Sequence, residues 1–236
     1  MAVERGEALF ELIIGVHDLS EEPDARDDEL QSWMPFSIAE PLLDTLVEMN
    51  RRSGVRLRVT SDDAFRSDVD VLAPWLVRRG IVGSFFVPTR FLGRPGRLSA
   101  GDLQALAALG MEIGVHGAGH LDWTAISERE FIDDVSEGRA ALEGILGRPV
   151  DIVAPPFGRF DARILDRLFA MGFREVHTCR PGLSLTSVAI KPRNMLKTGN
   201  EAALRAVAGR RGNWSDAARC RLRPLSVRLR TLAGVP

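Results

Sequence analysis

Short apolar runs alternate with amphipathic segments along this chain of 236 residues, and this alternation restricts the fold more than any other feature. Runs with the length and composition of buried strands lie at 10–16, 55–60, 81–87, 111–115, 150–154, 174–178 and 187–190. Helical periodicity lies between them at 37–52, 68–79, 99–110, 127–146, 161–171 and from about 201. Strands that alternate with helices build parallel sheets with right-handed crossovers, so the sequence predicts an α/β protein.

Serine residues mark two of the predicted helix starts. Ser37 precedes Glu40 by three positions, and Ser99 gives the same signal before the third helix. A capping serine and an acidic side chain three residues later satisfy each other's backbone N–H groups. We therefore expect both serines to be helix N-caps.

Candidate site residues follow several predicted strands at the point where each strand ends. They are His17, the pair Asp62 and Asp63, His116, and the pair Pro155 and Pro156. The carboxyl ends of parallel strands meet at one face of a β/α barrel, or at one edge of an open doubly wound sheet. Because these residues come from strands that are not adjacent, the sequence favours the barrel, with seven parallel strands in a single domain over 1–236.

Two histidines, His116 and His120, follow the fourth predicted strand and are separated by three small residues. A tight turn there directs both imidazoles at one ion, and neutral imidazole is a common ligand of zinc-like metals. The spacing alone is a weak signal, and Asp62 with Asp63 strengthens it. One aspartate can complete a set of three ligands and the other can act as a base. The alternative is that the two aspartates cap a helix.

Composition excludes several function classes. The formal net charge of −1 gives no general field for nucleic acid. Cys179 and Cys220 lack the spacing of a zinc ribbon or a disulfide framework. No run is long and apolar enough to span a bilayer, and the N-terminus carries Glu4 and Glu7 in place of the basic region of a signal peptide. We therefore expect a cytoplasmic protein.

The C-terminal tail from about 205 is basic. The segment 205–230 contains eight arginines and one acidic residue, Asp216. We interpret the tail as a solvated helical face. The alternative is peripheral contact with an anionic membrane surface or an acidic partner.

Four motifs resemble those of one protein family in order and spacing, over about 55–182. Segment 60–64 (TSDDA) looks like T-F-D-D-G, and 80–87 (GIVGSFFV) is similar to G-x-x-A-T-F-F-V. Segment 116–124 resembles H-S/T-x-x-H-x-x-L/W-T, and 153–158 (VAPPFG), with Asp161 behind it, resembles F-R/A-x-P-Y/F-G. The chain thus resembles the polysaccharide deacetylases of the NodB-homology class, carbohydrate esterase family 4.

The resemblance implies a role for each matching side chain. Asp62 is the expected catalytic base. The expected ligands of a divalent metal are Asp63, His116 and His120. Zn²⁺ is the expected ion, with Co²⁺ and Ni²⁺ as alternatives. A main-chain N–H just past Asp63 is expected to help stabilise the oxyanion.

Substrate contacts are expected from four residues. The backbone around Pro156 and Phe157 is expected to line the sugar groove. Trp123 is the tryptophan closest in sequence to the ligands and can stack on a sugar, unless it packs in the core. Ala154 stands where many family members have an arginine that orients the base. Arg193, after the last strand, is the candidate for that role and for substrate contact, and otherwise is an exposed surface arginine.

A family motif near the C-terminus, L-x-H, is absent, because no histidine follows His177. Segment 12–18 (LIIGVHD) resembles that motif at the front of the chain. The first and last strands of a barrel are neighbours, so a circular permutation keeps the site intact. The resemblance therefore implies a permuted barrel, similar to that of the exopolysaccharide deacetylases, with His17 in place of the family histidine that acts as general acid. The alternative is that His17 only packs at a strand end, and His177 is expected in the groove or core.

The resemblance implies a metal-dependent hydrolase that removes acetyl from an N-acetylated amino sugar. The carbohydrate is a polysaccharide, a lipid-linked saccharide or a nucleotide-linked saccharide. One alternative is another small-molecule amidase on the same scaffold. The other is a non-catalytic barrel that binds a sugar or a partner.

Overall fold

The computed structural model describes residues 8–22, 33–197 and 199–209. The strands in these ranges are β1 (Phe10–Val16), β2 (Arg56–Asp62), β3 (Gly83–Val87), β4 (Glu112–Val115), β5 (Ile152–Val153), β6 (Glu175–Thr178), β7 (Leu183–Leu185), β8 (Ile190–Pro192) and β9 (Asn194–Met195). The α-helices are α1 (Phe36–Ser53), α2 (Ala73–Arg79), α3 (Ala100–Ala108), α4 (Glu128–Leu146), α5 (Ala162–Ala170) and α6 (Glu201–Gly209). A π-helical turn, Asp68–Leu72, leads into α2.

The strands form one sheet in the order β7-β1-β2-β3-β4-β5-β6-β8, and every pair from β1 to β8 is parallel. The segment that holds β8 and β9 joins the two edges of the parallel sheet, since β8 pairs with β6 and β9 pairs with β1. The sheet is thereby nearly closed into a barrel, with seven parallel positions if this segment counts as one strand. The predicted α/β TIM-like barrel is confirmed, and the circular permutation stays a prediction.

Two details of the sheet differ from the prediction. The sequence places the last parallel strand at 187–190, whereas β8 begins only at the last residue of that segment, and Arg193 separates β8 from β9. β7 is not predicted and runs antiparallel to β1, with Leu183 opposite Leu12. Strands of two or three residues carry too short a pattern to be distinguished from turns in a sequence.

Helix starts agree with the sequence where the cap is local. Ser99 caps α3 with a complete capping box, as predicted, and Ser127 caps α4 in the same way. Ser37 is not the cap of α1, which begins one residue earlier. Its N–H and hydroxyl donate to the carboxylate of Glu21, at 2.8 Å each. A tertiary contact thus takes the place of the predicted cap.

Side chains alternate along β2 between the apolar core under the helices and the polar interior of the barrel. In β2, Val59 joins the core under the helices, while Arg58 reaches Glu175 across the interior and Thr60 accepts from Arg193. A strand places successive side chains on opposite faces. This period carries Asp62 into the barrel at the carboxyl end of β2.

The remaining sequence predictions concern the membrane and the tail. Within the described ranges, no helix combines the length and the apolar character needed to cross a membrane. The tail beyond residue 209 lies outside the described residues, so its solvated face and its contact with a membrane or partner stay predictions.

Candidate active site

An ion pair between Asp62 and Arg193 lies at the carboxyl end of the barrel strands. The guanidinium donates twice, from Nη1 to Oδ1 at 2.5 Å and from Nη2 to Oδ2 at 2.9 Å. Burial by itself raises the pKa of Asp62. The charge and hydrogen bonds of Arg193, together with the nearby His116 and His17, outweigh burial in sum and hold that pKa well below its usual value. Asp62 is therefore an ionised carboxylate at neutral pH, with a fixed orientation.

The position of Arg193 excludes two of the three roles that the sequence suggests for it. The side chain has no exposed surface, so it is neither a surface arginine nor a residue that contacts substrate. Its fork is occupied by Asp62, which is the contact expected of an arginine that orients the base. The break between β8 and β9 directs this side chain into the barrel, beside the thiol of Cys179.

Asp63, His116 and His120 converge next to Asp62. Their ligand atoms lie within 4.8 Å of one another. The Nε2 atoms of His120 and His116 are 3.2 Å and 3.6 Å from Oδ1 of Asp63. The structure therefore brings together the three side chains that the sequence predicts as metal ligands.

The chemistry of this donor set fits a divalent metal. Nδ1 of His116 is 2.7 Å from the carbonyl oxygen of Ala154, a contact that assigns the proton to Nδ1 and leaves the Nε2 lone pair for a metal. Burial lowers the pKa of His116 to about 3, so the ring is neutral. Two neutral imidazoles and a carboxylate are the three protein ligands found in many catalytic zinc sites, which keep a fourth position open.

His17 lies in the same site. It follows β1, whose Val16 is opposite Ser61 of β2, and this register places His17 beside the two aspartates. Its Nε2 is 3.9 Å from Oδ2 of Asp63, and 17% of the side chain is exposed. The histidine is thus partly accessible at the mouth of the barrel, close to the predicted metal ligand Asp63.

Backbone strain is concentrated at this mouth. Within the described part of the chain, the non-glycine residues with positive φ are Asp63, Ala64, His120 and Phe157. A left-handed conformation costs a non-glycine residue about 1–2 kcal/mol. Such strain persists where the surrounding structure enforces it and is concentrated at functional sites. The family motif has glycine at the position of Ala64, and the φ of 57° there explains that preference.

An aromatic wall borders the ligands. Phe157 is 58% exposed, and its ring centroid is 4.5 Å from that of His120. Pro156 is buried beneath it and supports the turn. Phe91 contributes a second ring, whose centroid is 5.7 Å from that of His120 and which the sequence does not predict. In the sequence, Phe91 is recognisable only as an aromatic residue in the loop after a predicted strand.

Comparison with known proteins agrees with this geometry. The sequence model of the polysaccharide deacetylases matches residues 51–176, which is more than half of the chain. The chain belongs to the polysaccharide deacetylase family. The matched segment contains Asp62, Asp63, His116 and His120, whereas His17 and Arg193 lie outside it.

Relatives of this deacetylase-family chain are distant in sequence. YxkH of Bacillus subtilis (strain 168), named as a polysaccharide deacetylase, is 19% identical over 124 residues, which are 52% of this chain and 44% of YxkH. IcaB from Ammonifex degensii is 22% identical, with a TM-score of 0.71 over 84% of this chain and 96% of IcaB. The Streptococcus pyogenes deacetylase PplD, solved with acetate, is 14% identical, with a TM-score of 0.70 over 85% and 99% of the two chains. IcaB and PplD thus have the same fold as this chain.

Two other predicted positions of this family member, Trp123 and His177, are buried. Trp123 is not a sugar-stacking residue, because it has no exposed surface and its ring packs against Phe131. Trp123 is near the ligands in sequence, but its side chain packs in the core. His177 is a core residue: it is fully buried in β6, with Nε2 3.0 Å from Glu175.

Proposed function

We propose that this protein is a divalent-metal-dependent hydrolase that removes acetyl from an N-acetylated amino sugar. The observation that carries the proposal is the juxtaposition of an ionised, arginine-held aspartate with a cluster of one aspartate and two histidines at the mouth of the barrel. Membership of the polysaccharide deacetylase family supports the same reaction class.

Each group of the cluster has a defined task in this reaction. Asp63, His116 and His120 hold the cation. When bound, the cation supplies a Lewis acid that lowers the pKa of water and polarises the acetamide carbonyl. Asp62 accepts a proton from the attacking water, whose oxygen bonds to the carbonyl carbon. Arg193 keeps Asp62 ionised before this step and oriented during it.

His17 is the proposed general acid. The C–N bond of the amide breaks only if the departing nitrogen gains a proton, and the imidazolium of His17 supplies it. The products are acetate and the free amine. A main-chain N–H just past Asp63 stabilises the negative oxygen, as the family resemblance implies. The position of His17 supports a permuted barrel in which the front of the chain supplies the acid.

The groove beside the ligands is proposed to bind the sugar. The exposed ring of Phe157 offers an apolar face next to His120, which suits the ring of an amino sugar. The expected cytoplasmic location favours a lipid-linked or nucleotide-linked saccharide as the substrate over a finished polymer. Location and substrate stay predictions from the sequence.

The experiment that tests the proposal pairs metal content with acetate release. Protein purified without chelator is assayed for bound metal and for acetate from a panel of N-acetylglucosamine derivatives. We expect Asp62→Asn to keep the metal and lose acetate release, and His116→Ala to lose both. We expect His17→Ala to keep the metal and lose at least about 100-fold in rate, the lower end of general acid catalysis. Asp133→Asn, on an exposed helix position, is the matched control.

Each alternative function has its own outcome. A protein that hydrolyses other amides but no amino sugar would be an amidase on the same scaffold. Absence of bound metal and of acetate, with zinc or cobalt added, would favour a non-catalytic barrel. The structure weighs against the non-catalytic barrel. Arg193 pairs with Asp62, although position 154 lacks the family arginine. His17 lies near Asp63, although the C-terminal L-x-H motif is absent.

A further inference from the structure

A buried carboxylate on α4 holds the backbone between the two histidine ligands. The N–H of Gly119 donates to Oδ1 of Asp134 at 2.7 Å. The N–H of Ala118 is shared between the same Oδ1, at 3.1 Å, and the main-chain carbonyl oxygen of Asp134, at 2.9 Å. The indole N–H of Trp123 donates to Oδ2 at 2.9 Å. Asp134 is 4% exposed. Both oxygens of one buried carboxylate therefore accept from the segment that carries His116 and His120.

The fit between this carboxylate and the segment is close. Gly117 has a φ of 74°, and a Cβ there would lie 2.2 Å from Oδ2 of Asp134. A Cβ on Gly138, one turn further along α4, would lie 2.8 Å from the carbonyl carbon of Gly117. The family motif has serine or threonine at the position of Gly117. In this chain, a carboxylate from another element occupies the space that a side chain at 117 would need.

The other side of the segment is held by the loop after β3. The N–H groups of Thr89 and Arg90 donate to the carbonyl oxygens of Gly117 and Ala118, at 3.3 Å and 2.9 Å. The segment is thus clamped between backbone donors on one side and Asp134 on the other. Its conformation fixes the positions of both imidazoles relative to Asp63.

We propose that Asp134 is a positioning residue for the metal site. It acts through the backbone of 117–119 and keeps His116 and His120 within coordinating distance of one ion. The inference rests on the proposed metal dependence. A carboxylate is required because all three groups that face it are donors, and only a carboxylate accepts on both oxygens. An amide of the same shape places an NH₂ group against one of the donors.

The test uses the isosteric variant Asp134→Asn. We expect the Kd for Zn²⁺, measured by chelator competition, to rise about 10–100-fold, which is the usual effect of losing an outer-shell partner of a metal ligand. We also expect the visible spectrum of the Co²⁺-loaded protein to change, because the histidine geometry relaxes. Asp133→Asn is the matched control on the same helix, and its Kd is expected to stay within twofold of wild type.

A second background separates positioning from general stability. Trp123→Phe removes the indole donor, so an amide at 134 can turn its oxygen to Ala118 and Gly119 without opposing another N–H. We therefore expect Asp134→Asn to weaken Zn²⁺ binding at least threefold less in the Trp123→Phe background than in wild type. The free energy of unfolding of the metal-free proteins is measured in both backgrounds, and a change in Kd that merely follows the change in stability contradicts a positioning role.

The outcomes distinguish the inference from the function on which it rests. Wild-type protein that binds neither Zn²⁺ nor Co²⁺ contradicts the proposed function itself. Wild-type protein that binds Zn²⁺, with a Kd that Asp134→Asn changes by less than twofold, contradicts the inference alone. Equal losses in the two backgrounds also contradict it. Thermal unfolding of the metal-free proteins shows whether each variant is folded.

Discussion

At the scale of single residues, the fork between Arg193 and Asp62 determines the charge of the proposed base. Burial raises the pKa of this carboxyl, whereas the charge and hydrogen bonds of Arg193, together with the nearby histidines, lower it by more in sum. The base consequently stays ionised well below neutral pH. The group that determines this lies 131 positions away along the chain.

We expect Arg193→Gln to raise the pKa of Asp62, because the opposing charge is lost and the burial remains. The acidic limb of kcat/KM against pH then moves to higher pH by about 1–3 units. Activity returns above the new pKa, where Asp62 is ionised again. Arg193→Lys keeps the charge and is the matched control, with a smaller expected shift. An acidic limb that does not move in Arg193→Gln would contradict this assignment.

Phe157 tests the groove at the same scale. We expect Phe157→Ala to raise KM for an amino-sugar substrate about two- to tenfold, with kcat nearly unchanged, because an aromatic contact contributes about 0.5–1.5 kcal/mol to binding. Ile38→Ala is the control, since Ile38 is also 58% exposed but lies on α1. A fall in kcat without a change in KM would argue against a binding role.

The sequence predicts the residues of this site that lie in local motifs. Asp62, Asp63, His116 and His120 follow strands at short spacings, and strand ends converge by topology alone. The family resemblance makes Arg193 the candidate partner of Asp62, but the sequence does not separate this role from an exposed surface position, because the choice depends on the path of the strand that closes the barrel. The burial of Trp123 is not readable either, since a polar acceptor on α4 draws its indole inward.

At the scale of elements, capping shows which helix signals are local. The box at the start of α3 lies within four residues, so the sequence predicts it correctly. Ser37 does not cap α1, although its sequence signal is the same, because its hydroxyl donates to Glu21 from the preceding loop. The split of the last strand also depends on a tertiary event, the insertion of Arg193 into the interior.

We expect Ser99→Ala to lower the free energy of unfolding by about 1 kcal/mol, since the side chain accepts from the N–H of Asp102 and no other group replaces it there. Acetate release is expected to stay unchanged. Ser37→Ala is the comparison, with a loss of at most about 0.5 kcal/mol, because its exposed contact is no cap. Urea unfolding measures both, and equal losses would refute the distinction.

At the scale of the whole molecule, barrel closure depends on polar contacts inside the sheet. Lys191 of β8 donates to Glu11 of β1 at 2.5 Å, and both side chains are almost completely buried. This pair links the last parallel strand to the first. The sequence pattern predicts the barrel class because the alternation of strands and helices extends along most of the chain. It cannot show which buried charges meet across the closing edge.

We expect Lys191→Met to destabilise the protein by about 3–5 kcal/mol, because Glu11 is left as a buried charge without its main partner. The double variant Glu11→Leu with Lys191→Met is expected to recover most of this loss, since it removes both charges. Thermal and urea unfolding measure the difference. A double variant no more stable than Lys191→Met would show that the pair contributes through packing, not charge.

The break at Arg193 also orders events during synthesis. A ribosome produces Asp63, His116 and His120 before the arginine, which follows the last of them by 73 positions. A domain generally folds as a unit. The nascent chain therefore contains the three proposed metal ligands before it contains the residue that orients the proposed base. The site is completed only when the final strand docks and Arg193 reaches Asp62.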